Sequence, residues 1–331
     1  MREIRRKLAG RNSSRKDKPM RLRASILALL FTSTLSAFAA APLATTGNPG
    51  YYRFKLGTFE VNVLSDGTFE MPMPKMLSNI SPAEVKKSLA KNFLGDLFET
   101  SDNAYLINTG TKLVLIDTGC GKSFGPAMGK VIEHMKAAGY QPEQVDAVLI
   151  THMHGDHVGG LMNDGKIVFP NAKLYIDKLD TDYWLNPENM NKGPADMKDH
   201  FQGAMNSVNP YVKTSQFKPI TADGEIVPGI RSHASHGHTP GHSSYEIESG
   251  GQKLVLLGDL LHVASVQFEH PSARMKFDSD LGAAEKQRRA AFADAAKNGT
   301  MIGSAHIAFP GVGHVRAEKS GYVFVPVNYT R

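Results

Sequence analysis

Ile150-Thr-His-Met-His-Gly-Asp-His-Val-Gly-Gly160 is the stretch on which the reading of this chain turns. It follows an apolar, β-branched run, residues 145–151, that reads as a buried strand. His152 and His154 lie two apart at the end of that run. In extended backbone, residues two apart point to the same face, so both imidazoles can reach one ion. Asp156 and His157 come as the chain turns toward a helix; adjacent residues there point elsewhere and suit a second ion nearby. Gly155, Gly159 and Gly160 let the backbone turn tightly around them. Three imidazoles and a carboxylate within six residues make a nitrogen and oxygen donor set suited to zinc or a similar divalent cation.

Four ligands do not complete two coordination spheres, so the remainder is expected downstream, after strands. Ser235-His-Gly-His-Thr-Pro-Gly-His242 supplies three more histidines. Leu256-Leu-Gly-Asp259 ends a strand with a carboxylate, and a carboxylate can bridge two cations. Ser304-Ala-His306 follows the apolar step at Met301 and Ile302. Asp117, in Leu115-Ile-Asp-Thr-Gly119, also ends a strand and could hydrogen-bond to the ligands from behind.

T-H-x-H-x-D-H at 151–157, H-T-P-G-H at 238–242, G-D at 258–259 and A-H at 305–306 together resemble the metallo-β-lactamase-fold hydrolases. The resemblance implies an α/β fold, a four-layered αβ/βα sandwich with the site at one sheet edge. By the same likeness, His152, His154 and His238 hold one ion, Asp156, His157 and His306 hold the other, and Asp259 bridges them. His242 then orients a loop or a ligand rather than binding metal, as Asp117 does. His233, His236 and His314 read as supporting or surface residues, and His134, His200 and His270 as solvated. The implied cofactor is a pair of divalent ions, zinc first. Two cations sharing a water bring its pKa toward neutrality, and the hydroxide so formed attacks an electrophilic centre. Asp156 and Asp259 are the catalytic carboxylates, Asp156 taking or relaying a proton.

Finer likeness, in Leu64-Ser-Asp-Gly67, Phe124-Gly-Pro126, Ala138-Gly-Tyr-Gln-Pro-Glu-Gln-Val145 and Phe324-Val-Pro-Val-Asn-Tyr329, resembles methyl parathion hydrolase and its lactonase and arylesterase relatives. That likeness implies a substrate pocket formed by Phe124, Trp184, Phe201, His262 and Phe277. The chain departs from the methyl parathion hydrolase pattern at Met76 and Leu77, where an Arg is expected, and at His262 and Phe277, where Leu is expected. It is also one residue shorter around residues 199–202. These departures favour lactones or aryl carboxyl esters such as dihydrocoumarin, with side activity on aryl phosphotriesters; the alternative is a phosphotriesterase of the methyl parathion hydrolase type.

The chain has 331 residues, 41% of them hydrophobic, enough for a sizeable core. Its net charge of +6 suggests an acidic partner until the charges are located. Residues 1–39 carry a net +8, which leaves the remainder at −2. Nucleic acid is therefore not an expected partner. Residues 20–39 run from a basic stretch through an apolar segment to Ala37-Phe38-Ala39, the order of a secretory signal with cleavage near Ala39. The apolar segment is shorter than a bilayer span, so no stable membrane anchor is expected after processing. A periplasmic or secreted enzyme follows, with a mobile segment at 40–50 and one hydrolase domain over 51–331. A small-molecule ester or lactone is the expected partner, and a homodimer is compatible with the sequence. The single Cys120 cannot form an internal disulfide.

Strands are expected at 52–56 and 59–65, the latter ended by Asp66 and Gly67, and a hairpin at 105–108 with 113–116. Further strands are expected at 244–248, 254–257 and 322–327. A helix opens at the capping box Ser81-Pro-Ala-Glu84; others are expected at 126–138 and 283–297. Residues 177–210 read as a helical or looped insertion.

Overall fold

A computed structural model of the chain describes residue 43, residues 47–221 and residues 223–329. The leader, its cleavage point near Ala39 and most of the segment at 40–50 lie outside the described residues. Among those described, no helix is long and apolar enough to cross a membrane.

Fourteen strands form two seven-stranded sheets, each in simple chain order. The first contains β1 (Tyr51–Leu56), β2 (Phe59–Pro72), β3 (Leu97–Asn108), β4 (Leu113–Ile116), β5 (Ala147–Leu149), β6 (Lys173–Asp177) and β7 (Phe217–Ile220). Pairing is antiparallel from β1 to β4 and parallel from β4 to β7. The second contains β8 (Gly224–Val227), β9 (Ile230–Ala234), β10 (Ser243–Ser249), β11 (Gln252–Leu256), β12 (Met301–Gly303), β13 (Val312–Ala317) and β14 (Tyr322–Pro326). There only β11 and β12 run parallel.

Side-chain alternation along these strands builds the layers. In β3 and β4, Tyr105, Ile107, Val114 and Ile116 face the second sheet, where Ile230, Tyr245, Ile247 and Leu256 meet them. The intervening Leu106 and Leu115, with Val148 and Leu174, face away. They are covered by α2 (Val131–Ala137) and α5 (Lys198–Lys213), through Met135, Val208 and Tyr211. On the far side of the second sheet, Ile302 and Val315 pack against Phe292 and Ala295 of α6 (Leu281–Asn298). The order is helices, sheet, sheet, helices: the four-layered sandwich that the sequence motifs imply. Because both faces of the central strands are covered, they read as unbroken apolar runs.

The capping box is formed as expected. Ser81 Oγ accepts from Glu84 N and opens α1 (Pro82–Lys91). Two expectations are corrected. Asp66 and Gly67 do not end β2 but form a bulge within it, between Ser65 and Gly67. Asp66 turns its carboxylate into the protein, where it accepts from the amides of Cys120, Gly129 and Val131 at 2.9, 3.0 and 3.1 Å. The helix expected from 126 begins only at Val131, because Gly129 has a φ of +78° and ends a turn there. The insertion at 177–210 is mostly helical, with α4 (Lys178–Trp184) and α5 joined by shorter turns.

Candidate metal centre

The ligand histidines stand on turns that leave the carboxyl ends of strands. β5 runs into the turn bearing His152 and His154, and α3 (Gly155–Val158) presents Asp156 and His157. In the second sheet, the β9–β10 turn carries His238, the turn after β11 carries Asp259 and the turn after β12 carries His306. Both sheets therefore contribute to one cluster.

Within it, His154 Nδ1 lies 2.9 Å from His152 Nε2 and 3.0 Å from His238 Nε2. Asp259 Oδ2 is 3.7 Å from His152 Nε2 and 3.4 Å from His238 Nε2. On the other side, Asp156 Oδ2 is 3.8 Å from His157 Nε2 and 3.6 Å from His306 Nε2. Asp259 also reaches this set, with Oδ1 3.4 Å from His157 Nε2 and Oδ2 3.2 Å from His306 Nε2. Ligands about 2.0–2.1 Å from a tetrahedral zinc stand about 3.3 Å from one another. The observed separations bracket that spacing.

Outer partners decide which nitrogen faces inward. Nδ1 of His238 donates to Asp278 (2.9 Å), Nδ1 of His157 to Asp117 (3.0 Å) and Nδ1 of His306 to the Ser101 carbonyl (2.9 Å). Thr151 Oγ1 donates to Asp117 and so receives Nδ1–H of His152 at 3.1 Å. With those protons turned outward, Nε2 is the ring atom that four histidines turn to the centre of the cluster. Burial keeps His152, His154 and His238 well below the usual imidazole range, in the neutral form that ligates. Burial also opposes charge on His157 and His306, but Asp259 and Asp156 overcome it, lifting His157 well above its usual value and His306 to about 9. Asp259, which burial alone would raise, is held well below the carboxylate range by His306, His157, His262 and His152. His157 Nε2 and Asp259 Oδ1 are buried without a hydrogen-bond partner. Orphaned donor atoms converging at ligand spacing, with outward protons fixed, fit two divalent cations.

His242 lies behind the cluster. Its Nε2 accepts from the Asp259 amide at 3.0 Å and its Nδ1 donates to Ser235 Oγ at 2.8 Å. It thus touches the loop of Asp259, and Asp117 accepts from Thr151 and His157. His262 is 3% exposed, with neither ring nitrogen hydrogen-bonded. Its Nε2 lies 3.2 Å from Asp259 Oδ2 and its ring stacks on His306 at 5.4 Å. Phe124 and Phe277 are 44% and 48% exposed. Phe124 lies against Gly155, beside Asp156, and Phe277 adjoins Asp278, the partner of His238. Met275 pairs with Leu77 and the Lys276 amide bonds to the Met76 carbonyl, so the segment before Phe277 neighbours Met76 and Leu77.

Trp184 and Phe201 are corrected. Each is 1% exposed, so neither lines an open pocket. Trp184 packs edge-on against His154 at 5.4 Å and the Phe201 ring lies tilted behind it at 4.7 Å. His134, expected to be solvated, is half-buried and bonded through Nδ1 to the Ser65 carbonyl. Sequence reasoning missed Asp180 and Asp278, which act on distant amides and rings and carry no local signature. A cleft of about 750 Å³ among Leu56, Lys253, Asn298 and His314 contains none of the candidate ligands.

A family model for the metallo-beta-lactamase superfamily matches residues 98–306. The chain is 35% identical to the hydrolase AbOPH of the beta lactamase superfamily, with a TM-score of 0.82 over 86% of this chain and 100% of that one. It is 26% identical to AidC, a dizinc quorum-quenching lactonase solved with the product N-hexanoyl-L-homoserine, with a TM-score of 0.79 over 85% of this chain and 99% of that one. An N-acyl homoserine lactonase of Bacillus sp is 26% identical across 59% of this chain and 77% of its own length.

Proposed function

The chain belongs to the metallo-beta-lactamase superfamily, and from that premise we propose that it is a two-metal hydrolase of lactones and aryl carboxyl esters, with a lesser activity on aryl phosphotriesters. The observation that carries the reading is the convergence of seven donor side chains, His152, His154, His238 and Asp259 in one set and Asp156, His157 and His306 in another, with Asp259 Oδ1 3.4 Å from His157 Nε2 and Oδ2 3.2 Å from His306 Nε2. Two divalent ions held by these residues would supply Lewis acidity and lower the pKa of bound water.

The chain's own residues do the rest. Asp259, reached by imidazoles of both sets, fixes the spacing between them. Asp156 is the most exposed of the seven ligands apart from His154 and can take a proton at the mouth of the site. Hydrolysis adds hydroxyl to the acyl carbon and a proton to the departing oxygen. His262, with both ring nitrogens free and beside Asp259, is placed to donate a hydrogen bond to that oxygen. Phe124 and Phe277 give an apolar entrance suited to an aryl ring or acyl chain. Bulky Phe277 crowds a tetrahedral phosphotriester more than a planar lactone. The dizinc lactonase AidC and the Bacillus lactonase support this choice of substrate class.

The test is a comparison of dihydrocoumarin, an N-acyl homoserine lactone and methyl parathion on one preparation of zinc-loaded protein. A lactone is expected to show the highest kcat/KM; a higher value for the phosphotriester overturns the assignment. His262→Leu with Phe277→Leu should move the ratio toward the phosphotriester by about 10–200-fold, the scale of a local misfit. We place the protein in the periplasm on the leader sequence. An intact mass that retains residues 1–39 in mature material would refute that placement.

A further inference from the structure

Helix α4 begins at Asp177, whose carboxylate accepts from the Leu179 amide at 2.7 Å. Three residues on, Asp180 is fully buried, and among the described residues it forms no ion pair. Its Oδ2 accepts from the Met153 amide at 2.8 Å and its Oδ1 from the Gly241 amide at 2.7 Å. Met153 stands between His152 and His154. Gly241 belongs to the turn that presents His238. A β-carbon on Gly241 would come within 2.3 Å of the Asp180 amide, so the turn and the helix meet with no side chain between them. One turn along α4, Trp184 sets its ring edge against His154. A single helix face thus holds both chain segments that build the three-imidazole set.

The second set is held by other groups. Asp117 bonds to His157, and the Ser101 carbonyl bonds to His306. Asn103 Nδ2 fixes the His306 turn by donating to the carbonyls of Ala305 and Ile307 at 2.9 and 2.7 Å.

The geometry points to Asp180 as a positioning residue for one ion only, the one taken by His152, His154 and His238. It clasps the paired ligands to the loop that delivers the third. Burial raises its carboxyl to about 6, so keeping it ionised at neutral pH costs stability. A feature that costs stability and spans two ligand loops serves the site rather than the fold.

The inference rests on the two-metal reading above, and one titration separates the two. Zinc binding to the wild type, Asp180→Asn, Asn103→Leu and the double variant is measured in competition with a chromophoric chelator. The near-isosteric Asn replaces one acceptor with an amino group facing an N–H. Asp180→Asn should weaken one of two ions about 10–100-fold, the scale for loss of an outer partner, and leave the other unchanged. Asn103→Leu, which removes the donors to the His306 turn, should do the same to the other ion, so each single variant keeps one tight ion and the double variant keeps none. Wild-type affinity for both ions in Asp180→Asn, or one tight ion surviving in the double variant, overturns the inference. Fewer than two ions on the wild type overturns the two-metal reading instead.

Thermal unfolding distinguishes a purely structural role. If Asp180 only supports the fold, Asp180→Asn lowers the zinc-free and zinc-loaded transitions equally. If it positions ligands, the increment produced by zinc shrinks. Should Asp180→Asn not fold, Asp180→Ser goes through the same titration with the same selective loss expected.

Discussion

Replacing Arg288 with Met should destabilise the protein and disturb the site without touching a ligand. Arg288 lies on α6, is fully buried and donates to three carbonyls: Pro271 at 3.0 Å, Leu260 at 3.1 Å and Ala273 at 2.6 Å. Ala273 O keeps a second donor, Gln267 Nε2 at 3.1 Å. The carbonyls of Leu260 and Pro271 would be left without a partner. Each orphaned carbonyl costs about 1–3 kcal/mol. Part of the combined loss of about 2–6 kcal/mol is recovered, because a guanidinium no longer has to be kept from water. A net loss of about 2–4 kcal/mol is expected, lowering Tm by about 5–15 °C in a domain of this size. Calorimetry on metal-free protein measures it directly. Leu260 follows Asp259, so the zinc-loaded variant should also lose turnover. A Tm within about 2 °C of the wild type would refute the claim that these carbonyls depend on Arg288.

Asp259→Asn should bind fewer than two ions by elemental analysis and lose more than about 100-fold in turnover, beyond the loss expected from an outer partner. Dialysis against chelator should abolish activity and lower Tm, by about 2.7 kcal/mol of stability for each ion that had been present at about 100 times its Kd; added zinc should restore both. For metal-free protein, the raised carboxyl of Asp180 predicts a pH effect. A folded-state value of about 6, above the unfolded 3.8, gives stability that is complete below about 3.8 and lost as pH rises through about 6. Asp180→Asn should flatten that decline, by up to about 3 kcal/mol between the two limits, as read from urea midpoints at several pH values.

The seven donors were legible because a metal demands particular side chains close together, and strand ends supply them at fixed short spacings. The central strands were legible for a related reason: burial on both faces leaves Leu113–Ile116 and Ala147–Leu149 without a polar residue. Edge strands were harder. Phe217–Ile220 contains Pro219 and exposed Lys218, and Gly224–Val227 opens with a glycine and an acid and has only two apolar residues, so neither stands out from loop. Asp66 and Gly67 read as a turn, since nothing local tells that the Asp66 carboxylate will be taken up by amides more than fifty residues away. Asp180, Asp278 and Arg288 were illegible for the same reason. Their partners are backbone amides, carbonyls or a ring brought close only by the folded sheets. Trp184 and Phe201 were assigned to the right neighbourhood but the wrong side of it, because an aromatic residue near a site reads alike whether it faces substrate or supports a ligand.

The strict chain order of the two sheets sets the moment at which chemistry first becomes available. Everything through β7 supplies His152, His154, Asp156 and His157; everything from β8 supplies His238, Asp259 and His306. Neither half has a complete coordination sphere, and the last donor, His306, follows β12 in the second sheet. The chain therefore remains inert until both halves have been made and have docked. Severed in the link between β7 and β8, the same chain would become a two-piece catalyst whose pieces are joined through shared cations, so that reassembly and activity would rise and fall together with free metal.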